Sequence, residues 1–256
     1  MEVDKNINKN INIFDTPLYY INFERNEDLE LELKNIGFTD VNFFKAVDGK
    51  KLDIKKLRED GIITIRSYND LLNDREQRSG LSSLGAVGCT LSHYFLWDKC
   101  VKDSLEYIVI VENDVEIKKI TEKELGYIQK ILSKPKSGFI STVIKKDNNI
   151  YDLIGLQFNI FSNELCKELV KDALPIDVQT DHYIAHLKSL NNINVEGFNL
   201  FGQKKHKSSI QDDCIKCNLP KNNIFYIVLL IIFILVLIAL VLYFYKYLKC
   251  KKTCRI

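Results

Sequence analysis

Tyr107-Ile108-Val109-Ile110-Val111-Glu112-Asn113-Asp114-Val115-Glu116 is the stretch around which this chain is organised. Its consecutive Ile and Val residues form a run too short for a typical helix and rich in strand formers, which predicts a buried strand. Acids follow at once. If the strand lies in a parallel sheet, its carboxyl end opens onto the crevice where such sheets bind ligands. Glu112 and Asp114 would sit at that end, and two carboxylates one residue apart at a strand end can hold a hard divalent cation against a diphosphate. Taken alone, the stretch reads equally as a strand that turns polar as it leaves the core.

Working outward, the upstream sequence supplies more strands. Leu18-Tyr19-Tyr20-Ile21-Asn22-Phe23, after Pro17, reads as a strand. Glu24-Arg25-Asn26-Glu27-Asp28 opens a helix with Leu29, Leu33 and Ile36 at helical spacing and Gly37 at its end. Acids crowd its first turn, where the macrodipole favours them. Val41–Val47 is a second strand, stopped by Asp48-Gly49. Strand, helix and strand in so short a span form the unit of a parallel α/β sheet. Ser67 to Ser83 reads as a long polar loop. Gly85-Ala86-Val87-Gly88-Cys89-Thr90-Leu91-Ser92-His93 begins a helix that runs to about Val101 and leads into the central strand. Downstream, Thr121-Glu122-Lys123-Glu124 is a capping-box sequence. Strands are expected over 138–144, 150–161 and 193–201, with helices from Ser162 and from Asp181.

The 256 residues allow one sizeable domain and an appendage. The appendage is residues 224–245, which contain no charge, Gly or Pro. At about 1.5 Å per residue this run can cross a hydrocarbon core of about 30 Å, with Tyr226, Tyr243 and Tyr245 near its ends. We therefore expect a single-pass membrane helix and a lipid bilayer as partner. The N-terminus has no basic-then-apolar leader pattern, so the expected topology is tail-anchored, with the soluble domain cytosolic. The expected divisions are a loose lead-in over 1–16, the main domain over 17–210, a linker over 211–223, the span, and a basic tail over 246–256.

A formal net charge of +2 gives no electrostatic case for nucleic acid. Of the seven cysteines, Cys89, Cys100 and Cys166 fall in apolar segments and read as small buried residues. Cys214 and Cys217 form one CxxC without the second pair a zinc ribbon needs. Cys250 and Cys254, beside the span, suit palmitoylation.

Three separated segments fit one pattern: Tyr20-Ile21-Asn22-Phe23-Glu24-Arg25, then Phe43 to Gly49, then Gly85 to His93 with Ile110 to Val115 after it. In this order and spacing they resemble glycosyltransferase family 25, which holds bacterial lipooligosaccharide and animal procollagen galactosyltransferases. Leu200-Phe201-Gly202-Gln203 and Ser208-Ser209-Ile210 resemble the family's usual close. The resemblance covers about residues 17–210. It implies a GT-A fold: an α/β domain with a mixed, mainly parallel sheet flanked by helices. It also implies a nucleotide-sugar donor such as a UDP-hexose, a glycan, lipid or protein acceptor, and a divalent metal, Mn2+ in character.

Carried onto this sequence, the resemblance makes Asn22, Arg25, Asp48, Gly88, Ser92, His93 and Glu112 the donor-binding candidates. Glu112 and Asp114 are the metal candidates, and Asp181 is the candidate general base. The residue chemistry is compatible: Arg forks to phosphate, glycines admit backbone close to a ligand, a helix N-terminus favours phosphate, and a carboxylate can take the acceptor's proton. Two departures stand out. Asn113 replaces an acid of the Glu-Asp-Asp pattern, and Asp28 stands where a second arginine is common. The expected function is a membrane-anchored hexosyltransferase; the alternative is a degenerate relative that only binds or scaffolds.

Overall fold

The structure is a computed structural model that describes residues 11–73, 80–81, 83–141, 155–204, 231–237 and 240. The chain forms two units, residues 1–217 and 218–256.

In the first unit the strands and helices alternate as the pattern requires. Strand β1 (Leu18–Asn22) leads to α1 (Glu27–Asn35), whose cap Asn26 accepts from the Leu29 N–H, and then to β2 (Val41–Lys45). After a 3-10 turn come α2 (Ile54–Glu59), α3 (Ile65–Leu72) and the long α4 (Leu84–Lys102). Strand β3 (Tyr107–Glu112) is the quoted run, and a tight turn joins it to β4 (Val115–Glu116). Helix α5 (Glu122–Leu132) starts on the expected capping box, Thr121 with Glu124. The domain then runs through β5 (Ser137–Ser141), β6 (Phe158–Ser162), α6 (Asn163–Asp172), α7 (Thr180–Ser189), β7 (Asn194–Phe198) and β8 (Gly202–Gln203).

The main sheet has the order β2-β1-β3-β6-β5-β7. The β2–β1, β1–β3 and β5–β7 pairs are parallel; β6 runs antiparallel to both its neighbours. The sheet is thus mixed and mainly parallel, with β3 interior. Ile108, Val109, Ile110 and Val111 are all fully buried, as a strand covered on both faces requires. Their side chains alternate between layers. Val109 and Val111 pack with Leu29 and Leu33 of α1 and Ile128 and Ile131 of α5. Ile108 and Ile110 pack with Trp97 of α4, Leu165 of α6 and Ile184 of α7. Each such side chain contributes about 1.5–3 kcal/mol of burial.

The polar run after Ser67 differs from expectation. Its first part is helical, in α3, because Thr64 accepts from the Ser67 N–H as a cap and Tyr68 and Leu71 pack on a third apolar cluster with Leu57 and Ile63. Residues 74–79 and 82 of that run lie outside the described residues, as do 142–154 before β6.

In the second unit, residues 231–237 are helical, and their apolar side chains are exposed. Among the described residues no helix is long and apolar enough to cross a membrane. Most of the expected span 224–245 lies outside them, as do Ser208-Ser209-Ile210, Cys214, Cys217, Cys250 and Cys254.

Candidate functional site

Parallel pairing brings the carboxyl ends of β1, β2 and β3 to one edge of the sheet. Because β6 is reversed, it delivers its first residues there: the Glu112 N–H donates to the Gln157 carbonyl at 3.0 Å. This is the edge where open α/β sheets bind ligands. At the end of β1 the Asn22 Oδ1 accepts from the Phe23 N–H (2.9 Å) and from the Asn113 side-chain amide (3.2 Å). An open hollow of about 540 Å3 lies beside it, lined by residues 22–28.

The loop after β2 is locked to α4. The Val47 N–H donates to Ser92 Oγ at 2.9 Å, and the Ser92 hydroxyl donates to the Gly88 carbonyl at 2.7 Å. A Cβ at Gly88 would lie 2.4 Å from the Val47 carbonyl oxygen, and one at Gly49 would lie 2.3 Å from the Leu84 carbonyl oxygen. Only glycine admits backbone this close. Gly88 and Ser92, both buried, are thus occupied in holding the loop. What the lock positions is Asp48, whose Oδ1 accepts from the Lys50 N–H at 3.0 Å. Arg25 is also engaged elsewhere. Its guanidinium forks onto the buried Glu30 at 2.8 and 2.9 Å, while the side chain stays 65% exposed.

The acids converge. Burial and then the charges of Asp114 and Asp181 push the Glu112 carboxyl up to about 8, although 21% of its side chain remains exposed. Like charges crowd the site, and the basic group beside them does not offset them. His93 Nε2 is 3.7 Å from Glu112 Oε1, but burial pushes that imidazole down to about 4 and keeps it neutral. Asp114 Oδ2 accepts from the Gln203 amide at 2.7 Å, while its buried Oδ1 has no partner among the described residues. Asp181 lies in the first turn of α7, where its Oδ1 accepts from the His182 N–H at 2.8 Å. The helix cap is Gln179, not Asp181. A Thr90–Thr180 hydroxyl contact of 2.9 Å fixes α7 against α4.

A divalent cation fits this donor set. Asp114 offers an unpartnered carboxylate oxygen, and Glu112 carries a charge that burial disfavours unless a cation shares it. Thus Asn22, Asp48, Glu112, Asp114 and Asp181 are gathered from separate segments. Two residues without an expected role join them. Gln203 reaches Asp114 because β8 pairs with β4; its place in the Leu200–Gln203 segment was the available signal. Cys89 is half-buried, not fully buried as expected, with Sγ 3.8 Å from Glu112 Oε1. Its signal was the one-turn spacing to His93.

The model of glycosyltransferase family 25 (LPS biosynthesis protein) matches residues 16–171. A glycosyltransferase 25 family member of Aedes aegypti is 31% identical over 115 residues, 43% of this chain and 18% of that protein. Human procollagen galactosyltransferase 2 is 28% identical over 111 residues, 42% of this chain and 17% of that protein. A putative glycosyltransferase of Haemophilus influenzae is 28% identical over 195 residues, covering 63% and 66%. The matched region thus spans less than a fifth of the insect and human relatives.

Proposed function

Because the chain belongs to glycosyltransferase family 25, we propose that it transfers a hexose, galactose or glucose, from a UDP-sugar to an acceptor hydroxyl. The observation that carries this reading is the convergence of Asn22, Asp48, Glu112 and Asp114 at one sheet edge, with the charge of Asp181 reaching Glu112. In this reading Asn22 and Asp48 hydrogen-bond the nucleoside of the donor, and Glu112 faces its ribose or diphosphate. Arg25, Gly88 and Ser92 act indirectly, by fixing the segments that carry these groups, and His93 backs Glu112.

A cation of the Mn2+ class, held by Asp114 and Glu112, would neutralise charge gathering on the departing diphosphate. Gln203 orients Asp114 by holding its second oxygen. The acceptor oxygen forms a bond to the anomeric carbon as the sugar–phosphate bond breaks. Asp181 takes the acceptor's proton, and the nucleoside diphosphate leaves. Acceptors in this reading are hydroxyls of a glycan, a lipid-linked saccharide or a protein. Residues 224–245 anchor the chain in a single pass, with the domain on the cytosolic side.

Two observations favour a second reading, a relative that binds without turnover. Asn113 stands where an acid is usual, and Arg25 is tied to Glu30. The full-length chain in detergent, assayed with a panel of UDP-sugars, Mn2+ and saccharide acceptors, separates the two. Transfer or donor hydrolysis that stops with EDTA is expected. Donor binding without turnover supports the second reading, and neither binding nor turnover with any donor removes both.

A further inference from the structure

Beside the oxygen ligands of Asp114 lies a cluster of different chemistry. Cys89 and His93 sit one turn apart on α4 and face the end of β3. Cys89 Sγ is 3.8 Å from Glu112 Oε1, and His93 Nε2 is 3.7 Å from the same oxygen. One donor atom from each of the three residues lies within 4.8 Å of the others.

The imidazole's hydrogen bonding decides what this cluster can hold. His93 Nδ1 is 3.1 Å from the Cys89 carbonyl, which can only accept, so Nδ1 carries the proton. Nε2 is then a bare lone pair, buried, with no hydrogen-bond partner among the described residues, and 3.7 Å from a carboxylate oxygen. The same Glu112 oxygen accepts from the Cys89 thiol at 3.8 Å, so a cation that displaced the thiol proton would meet all three donors at once. A ring N–H held by a carbonyl, with the other nitrogen free, is the arrangement of a metal-ligating histidine. Tetrahedral zinc, with bonds of about 2.0–2.3 Å, sets its ligand atoms about 3.3–3.8 Å apart. Both distances to Glu112 suit that, and small side-chain rotations close the third edge.

We propose that Cys89, His93 and Glu112 bind one zinc-class divalent cation, at a position separate from the oxygen-only position at Asp114. Thiolate and imidazole select a borderline-soft ion over Mg2+ or Mn2+. Three protein ligands leave a fourth position open, and the partial exposure of Cys89 and Glu112 gives the ion a path in from the crevice. Glu112 is shared between the two positions, so a zinc-class ion and the Mn2+-class ion compete for it. The first site would exist whether or not the chain transfers sugar.

Cobalt reports the site directly. The full-length chain, with Cys214, Cys217, Cys250 and Cys254 replaced by serine, is titrated with Co2+ in detergent. Expected are a thiolate-to-cobalt charge-transfer band and intense four-coordinate visible bands, saturating near one ion per chain. Both should vanish in Cys89→Ser and lose at least about tenfold in affinity in His93→Gln. Zn2+ at about 100 times its Kd should raise Tm by about 5–10 °C in the parent and not in Cys89→Ser. Should the variants fail to fold, alkylation of Cys89 in the unsubstituted chain serves instead: Zn2+ should slow it at least tenfold and Mg2+ should not. Weak octahedral cobalt spectra, bands that survive Cys89→Ser, or unprotected alkylation would overturn the proposal. None of these readouts depends on sugar transfer.

Discussion

Asp114 and Glu112 share a turn but differ in what they need. Asp114 keeps one oxygen on Gln203 and one without a partner among the described residues, so its charge is available to a cation. Asp114→Asn is expected to lower metal-dependent turnover by about 100-fold or more, with Tm in EDTA nearly unchanged, as steady-state assays and thermal unfolding would show. Glu112 makes the metal-free domain pH-sensitive. Its raised value means the folded state holds the proton more tightly than the unfolded chain, so the stability it gives is complete below about 4.5 and lost by about 8. His93 is lowered, so its contribution is complete above about 6.5 and lost by about 4. The two oppose each other at intermediate pH. Between 6.5 and 8 Glu112 acts alone, and Tm in EDTA should fall as pH rises. Glu112→Gln should flatten that fall, and an equal fall in the variant would assign it to other groups. Asn113 donates to Asn22, whose oxygen is fixed by its second bond from the Phe23 N–H. Asn113→Asp turns this contact into a lost hydrogen bond beside three acids, so a loss of about 1 kcal/mol in denaturant unfolding is expected without metal. The sequence named most of these residues because strand ends and short polar patterns are local. It did not reveal that Glu30 would capture Arg25, or that Glu112 would meet Cys89, because both depend on where packing sets a helix.

Helix α4 with the loop after β2 is the element on which the site depends. The glycine and serine positions of the Gly85–His93 segment resembled donor contacts in the sequence, and in the structure two of them, Gly88 and Ser92, also form the lock. Gly88→Ala would press a methyl group onto the Val47 carbonyl, and Ser92→Ala would leave the Val47 N–H unpaired. Each is expected to cost about 1–3 kcal/mol in denaturant unfolding and to raise the donor KM by displacing Asp48. The chain's glycines and periodicity made the helix and its bounds readable. Which neighbour filled the space beside Gly88 was not, since an open glycine face and a packed one have the same sequence. Helix α3 was missed for a related reason: its polar surface masked the apolar positions that dock on the third cluster.

At the scale of the whole molecule, the α/β class could be read from strand–helix alternation, because burial on both faces forces β-branched runs such as Ile108–Val111; the mixed sheet was expected only from the family resemblance. The reversal of β6 could not be read, since an apolar strand does not encode its direction. For the second unit, the uncharged 224–245 run carries the expectation of membrane anchoring. The full-length chain should float with liposomes and resist alkaline extraction, whereas deletion of 224–256 should release the domain. The central claim is that the edge formed by β1, β2 and β3 binds a nucleoside diphosphate through a cation on Asp114 and Glu112. The most direct measurement is isothermal titration of UDP into the full-length chain with Mn2+, with EDTA, and with Mn2+ in Asp114→Asn. Saturable binding with Mn2+, weakened about 100-fold or more in the other two titrations, is the expected result. No binding with Mn2+, or equal binding in all three, would contradict it.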